Sequence, residues 1–143
     1  MVRQLVVEDL DTIEILEFIL FGSNTMNKKY GGIYDWSRFP ITKAVRERRV
    51  MMCFRKNKPV GFMVSTLSGH LFDPTIILLK QNVLFALPNT RAAFHLVEDF
   101  IDFGKANANH IIASIGTETN IKSKSLEKLG FKKLEEHYRM ENV

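Results

Sequence analysis

LFALPNTRAAFHLVEDFIDF, Leu84 to Phe103, decides how the rest of the chain is read. An apolar run stops at Pro88, a short polar turn follows, and a helical pattern begins beside Arg91. Ala93, Leu96, Val97, Phe100, Ile101 and Gly104 recur at spacings of three and four; His95, Glu98, Asp99, Asp102 and Lys105 face the other way. The spacing predicts a helix over 91–106. Residues 90–97 hold no carboxylate, the first being Glu98. A helix N-terminus presents free N–H groups and a partial positive charge, which Asp or Glu commonly offsets. Arg91 instead adds charge of the same sign, costing about 0.3–1 kcal/mol at an exposed site. A bound anion such as a pyrophosphate would reverse that sign. Ala92 and Ala93 are small enough to let an anion near the backbone. Phe94 has two readings: its ring blocks the entrance, or it packs inward on one stripe with Val97 and Ile101. The alternative for the whole stretch is an ordinary helix start, capped by Thr90, with Arg91 solvated.

Working outward, TIILL and QNVLFAL (75–87) read as one long strand or as a strand broken near Lys80–Asn82. HIIASI (110–115) reads as a buried strand, so strand, helix and strand follow in order. Upstream, VMMCF (50–54) and VGFMVSTL (60–67) flank a short polar turn and form a hairpin. Gly61 marks a bulge or a close backbone approach. RQLVV (3–7) is a first strand. Asp9 then caps a helix with Leu10, Ile13, Leu16 and Leu20 on one stripe and Ile19 beside it, ended by Gly22 and Ser23. Residues 22–40 lack a period and gather Tyr30, Tyr34, Trp36 and Phe39, which line a pocket or close over a core. Thr42 caps a short helix through Arg49. Thr119 or Asn120 caps a last helix ending at Leu129. Gly130 is placed as its left-handed C′ residue, with Phe131 folding back on Leu126. FKKLEEHYRMENV (131–143) closes the chain as a strand with polar alternation, which fits a monomer or pairing across a homodimer. The order β-α-α-β-β-β-α-β-α-β implies an α/β (α+β) mixed sheet with helices on both faces.

The 143 residues suit one domain with a real core, spanning 1–143. With 45% hydrophobic and 25% charged residues, composition is that of a globular protein. The net charge of +4 permits an anionic partner without demanding nucleic acid. Arg46, Arg48 and Arg49 read as a solvated helix face rather than a nucleic-acid patch. Cys53, the only cysteine, lies in an apolar run and reads as a buried, inert thiol. The sequence has no signal-peptide core and no run long enough to span a membrane, which leads to the expectation of a cytoplasmic protein. His70, His95, His110 and His137 show no metal-ligand spacing, so no metal is expected.

The order and motifs together resemble the GNAT acyltransferase superfamily. VRQLVVEDLDTIEIL resembles its opening strand and helix, PVGFMV its third strand, PNTR plus helix its acetyl-CoA motif, and TNIKSKSLEKLGFKKL its second conserved block. The likeness spans nearly the whole chain. It implies a mostly antiparallel sheet of six to seven strands and direct transfer of an acetyl group from acetyl-CoA, as co-substrate, to a small-molecule or peptide amine. The backbone of Phe85, Ala86 and Leu87 would then pair with the pantetheine arm. The turn formed by Arg91, Ala92, Ala93, Phe94 and His95 would take the pyrophosphate, and Asn120 would help hold the arm. The amine would approach near Tyr34 and Trp36. The sequence departs from the pattern at three places. Phe94 and Leu96 stand where glycines are usual, Leu126 stands where a general-acid tyrosine is frequent, and the fourth strand offers Lys80, Gln81 and Asn82 in place of an acidic base. A second reading follows: a GNAT-fold binding or structural module without catalysis, of the kind found among phage virion proteins.

Overall fold

A computed structural model describes residues 1–30, 38–114, 123–134 and 140. Strand β1 (Val2–Gln4) leads through a 3-10 turn (Val7–Asp11) to helix α1 (Ile13–Tyr30). Helix α2 (Ile41–Arg46), strands β2 (Val50–Arg55), β3 (Lys58–Gly69) and β4 (Ile77–Ala86), helix α3 (Ala92–Asn107), strand β5 (His110–Ile112) and helix α4 (Ser123–Lys128) follow. Among the described residues the strands form one mixed sheet in the order β1-β2-β3-β4-β5, antiparallel except for β4 and β5. Five strands are described, not six to seven. Residues 131–134 of the expected closing strand are not extended into a ladder, and 135–139 and 141–143 lie outside the described residues.

The sheet has apolar side chains on both faces, which is why helices cover both. Met51, Cys53, Met63, Leu79 and Leu84 face α3, with Leu126 of α4 in the same cluster. Val50, Met52, Phe62 and Val64 face Ile15 and Ile19 of α1 and Ala44 and Val45 of α2. The β2–β3 hairpin turns on Lys56 and Asn57, both with positive φ (51° and 64°), as a two-residue turn matched to strand twist requires. Cys53 pairs with Gly61 and Phe54 with Pro59, so Val60 is an extra residue and the bulge sits beside Gly61. The close approach read from Gly61 is also present: a Cβ there would lie 3.0 Å from the Ala92 Cβ and 3.1 Å from a Leu96 methyl. At the end of α4, Gly130 has φ 98°; the Phe131 amide donates to the Leu126 carbonyl at 3.0 Å and the Gly130 amide to Glu127 at 3.0 Å. That is the expected left-handed helix stop, and Phe131 packs on the Leu126 cluster.

The first helix differs from its sequence reading. Asp9 does not cap it. Its carboxylate accepts from both Arg3 nitrogens (2.7 and 2.8 Å) and from the Val6 amide (2.7 Å), closing the 3-10 turn instead. The helix therefore starts at Ile13, and its buried face shifts to Ile15 and Ile19, while Ile13 is exposed. Gly22 does not end it. A Cβ at Gly22 would lie 2.5 Å from the Phe62 ring and 2.7 Å from the Phe85 ring, so the glycine lets the helix lie against the sheet. Helix α2 likewise starts after Pro40 with no side-chain cap, leaving Thr42 inside it, and it stops at Arg46 rather than Arg49. Arg48 takes φ 59° and bonds Gln4; Arg49 donates to the Ser65 carbonyl at 2.6 Å. No described helix is long and apolar enough to cross a membrane.

Two outcomes follow. Gly22→Ala gains helix propensity but overpacks the phenylalanine rings, so urea unfolding should show a net loss of about 1–2 kcal/mol. The hydrogen bonds from Arg3, then the Val6 amide, hold the Asp9 carboxyl below its usual range despite partial burial. A carboxylate depressed in the folded state adds stability that is present above its unfolded pKa and lost as pH falls through the folded value. Asp9→Asn should therefore cost about 1 kcal/mol at neutral pH, discounted for the exposed Arg3, with the penalty fading below about pH 4.

Candidate functional site

Strand β4 pairs with β3 from one end to the other, but with β5 only at Leu78–His110, Leu79–Ile111 and Lys80–Ile112. Above Lys80 the two neighbours part. Val64 pairs with Val83 and Ser65 with Gln81, so Asn82 is an extra residue whose bulge bends β4. The Gln81 side chain crosses to the other strand, its Nε2 donating to the Ser114 carbonyl at 2.9 Å. No described residue pairs with 82–87 on that side. The Leu87 amide donates to the Val60 carbonyl at 2.9 Å. By strand alternation the N–H and C=O groups of Leu84 and Ala86 point away from β3, along the open edge. A polar, extended ligand arm can pair there as a further strand would.

The turn after β4 brings the start of α3 to the same place. Asn89 and Arg91 both adopt left-handed backbone, with φ 62° and 58°. Asparagine tolerates this; for arginine it costs about 1–2 kcal/mol. The Thr90 hydroxyl donates to the Leu87 carbonyl at 2.7 Å and accepts from the Ala92 amide at 3.3 Å. Thr90 thus supplies part of the expected cap, one residue before Arg91, which holds the N-cap position of a helix that starts at Ala92. The first helical bond joins the His95 amide to the Arg91 carbonyl at 3.1 Å, which leaves the Ala93 and Phe94 amides without a partner among the described residues. The first turn contains no acid. Arg91 is exposed beside these donors, its guanidinium 5.6 Å from the centroid of the Phe94 ring.

The buried face of α3 is Ala92, Ala93, Leu96, Val97, Phe100, Ile101 and Gly104, as its spacing predicts with Ala92 added. Phe94 is not on it. It is half-buried on the flank of the first turn, between Arg91 and His95, so the reading in which it packs inward with Val97 and Ile101 is corrected. Its Cα lies too far around the helix from the Leu96–Phe100 line. His95 turns along the helix, with Nδ1 3.5 Å from the Glu98 carboxylate. Below it, burial, then Asp102 and Glu98, push the Asp99 carboxyl up. Ala86 and Leu87 pack on the α3 side, whereas the Phe85 ring goes through to the other face among Phe18, Phe21 and Phe62. The Phe85 N–H and C=O face β3, as does the Leu87 amide, so the outward groups at this edge are those of Leu84 and Ala86 rather than the expected Phe85 and Leu87. Tyr34, Trp36 and Asn120 lie outside the described residues.

Cys53 is buried, and that burial raises its thiol pKa, as an inert core thiol requires. Among the described residues, no three His, Cys, Asp or Glu side chains converge as a metal site. Sequence reasoning did not find the left-handed Arg91 or the strand-crossing Gln81. A glutamine inside the run TIILLKQNVLFAL was the available signal for the second. Nothing in the sequence encodes the first, since arginine is a poor residue for that backbone.

No family model matches the chain, and no curated protein matches it. Solved structures do. A probable acetyltransferase superposes with a TM-score of 0.68 at 17% identity, covering 100% of this chain and 98% of that one. A ribosomal-protein-alanine N-acetyltransferase from Brucella melitensis biovar Abortus gives 0.71 at 11% identity, covering 100% and 97%. An aminoglycoside N-acetyltransferase in complex with CoA gives 0.62 at 13%, covering 100% and 99%. At these identities the likeness shows the fold alone, one that this chain shares with these acetyltransferases.

If the left-handed arginine is held against its own preference, glycine should relieve it. Arg91→Gly should raise unfolding free energy by about 1 kcal/mol in urea. Arg91→Ala keeps the strained backbone and should gain only the few tenths of a kcal/mol, roughly, that removing a like charge from a helix start gives.

Proposed function

We propose that this GNAT-fold chain is an acetyl-CoA-dependent N-acyltransferase. The observation that carries the reading is the meeting of two unsatisfied elements: the open edge at Leu84–Leu87 and the acid-free start of α3 with Arg91. The edge suits the amides of a pantetheine arm, and the helix start suits a pyrophosphate. Arg91 would contribute charge, and the free amides of Ala93 and Phe94 would contribute hydrogen bonds. Phe94 would flank the phosphates and keep Arg91 over them. The strain at Arg91 supports this assignment, because strained backbone persists where it serves a site.

The reaction is direct. The amine nitrogen attacks the thioester carbonyl carbon, the carbon–sulfur bond breaks, and the proton lost from nitrogen ends on the CoA sulfur. The chain would contribute alignment of the two reactants and fixed dipoles at the developing charge. Strand β4 carries no acid to act as base, and no side chain is assigned that role; a water relay would serve to move the proton. The acceptor is a small-molecule or peptide amine, approaching from the side of Tyr34 and Trp36; Asn120 would support the arm.

The same departures favour a second reading, a binding or structural module that keeps the fold without the chemistry. Phe94 and Leu96 replace the usual glycines, Leu126 the usual tyrosine, and the fourth strand offers Lys80, Gln81 and Asn82 in place of the usual acid. Thermal unfolding with and without about 1 mM acetyl-CoA separates the two. A micromolar binder gains about 4 kcal/mol by mass action, and Arg91→Ala should weaken it about tenfold. No shift in the unaltered protein removes the transferase and leaves the module.

A further inference from the structure

We propose that Gln81 forms the floor of the cleft between β4 and β5 and restricts the transferred acyl group to about the size of acetyl. The inference rests on the acetyl-CoA reading above and concerns the far end of the same cleft. The β4–β5 ladder ends at Lys80 and Ile112, and the next link is not a backbone bond. It is the Gln81 amide, donating across the gap to the Ser114 carbonyl at 2.9 Å. The bulge at Asn82 turns the β4 backbone aside at this point, so a side chain replaces the missing rung.

Gln81 is only 4% exposed, and its Oε1 is buried with no hydrogen-bond partner among the described residues. Its amide orientation is fixed by the Ser114 carbonyl, which needs a donor; the oxygen therefore stays as the unpaired end. Counting along β4, Leu87 lies beside the α3 start and Gln81 lies six residues deeper, about 20 Å for an extended strand. An arm anchored by its pyrophosphate at Arg91 and laid along Ala86 and Leu84 brings its sulfur to the region of Asn82, and its acyl group to Gln81. A methyl group stops short of the floor. A longer chain must break the Gln81–Ser114 bond and push the buried amide aside, separating the Ser114 carbonyl from its donor with methylenes that cannot replace it.

The experiment is a series of acetyl-, propionyl- and butyryl-CoA, titrated calorimetrically against the unaltered protein and Gln81→Ala. The unaltered protein should bind acetyl-CoA at least about tenfold more tightly than butyryl-CoA, a difference near 1.4 kcal/mol. Gln81→Ala, which removes the floor, should bring the two within about threefold, mainly by tightening butyryl-CoA. Equal affinity for both thioesters in the unaltered protein overturns the proposal without variants, so it stands or falls even if the alanine variant does not fold. An unchanged preference in a folded Gln81→Ala also overturns it. Tight binding with no acyl preference would leave the cofactor reading intact and sink only the floor; no binding of any thioester would sink both.

Discussion

The structure depends on how closely α3 approaches the sheet. Gly61 has no side chain, and a Cβ there would crowd the methyl of Ala92 at 3.0 Å and Leu96 at 3.1 Å. That contact sets the height of the helix start above β3 and β4. With the start fixed there, its uncapped amides stand beside the strand edge that β5 leaves uncovered. At the other end of α3, Gly104 lies against Ile111 and Leu79, where a Cβ would come within 2.5 Å of the isoleucine. The helix is therefore pressed onto the paired part of β4–β5 at its C-terminal end and stands beside the parted section at its N-terminal end. Small residues at both ends of one helix align the crevice.

Much of this was legible from residue patterns. The stripe on α3, the hairpin around Lys56 and Asn57, the helix stop at Gly130 and the βαβ order are local consequences of spacing and turn chemistry. The mixed sheet with helices on both faces followed from them. The errors arose where a local rule was overruled by a partner on another element. Asp9 has the chemistry of a cap, but the bidentate offer from Arg3 is stronger than a single backbone donor. Gly22 has the chemistry of a helix stop, but the rings of Phe62 and Phe85 require a bare Cα in mid-helix. Phe62 and Phe85 are remote from Gly22 in sequence, and Arg3, six residues before Asp9, sits on a strand outside the helical repeat, so periodicity has no access to either.

The candidate site was legible in composition and not in conformation. The absence of acid in residues 90–97 is visible in the letters, and the apolar spacing placed the helix start to within one residue. The left-handed turn at Arg91 was not visible, nor was the flank position of Phe94. An aromatic ring can satisfy itself against a guanidinium as readily as in the core. Backbone strain and ring placement are settled by the whole fold, which is why the residues nearest the proposed chemistry were the hardest to read.

Phe85 ties the two layers together in a way that constrains how the crevice can change. Its backbone forms part of the lip, while its ring is clamped between Phe18, Phe21 and Phe62 on the opposite face. Moving that lip outward would drag an aromatic rivet through packed neighbours and disturb the seat of α1. The β4 side of the crevice is thus a stiff jaw. Adaptation of the gap to a new guest must come from the β5 side, where, among the described residues, three residue pairs, the two Asn109–Ile77 bonds and one glutamine amide hold the strands together.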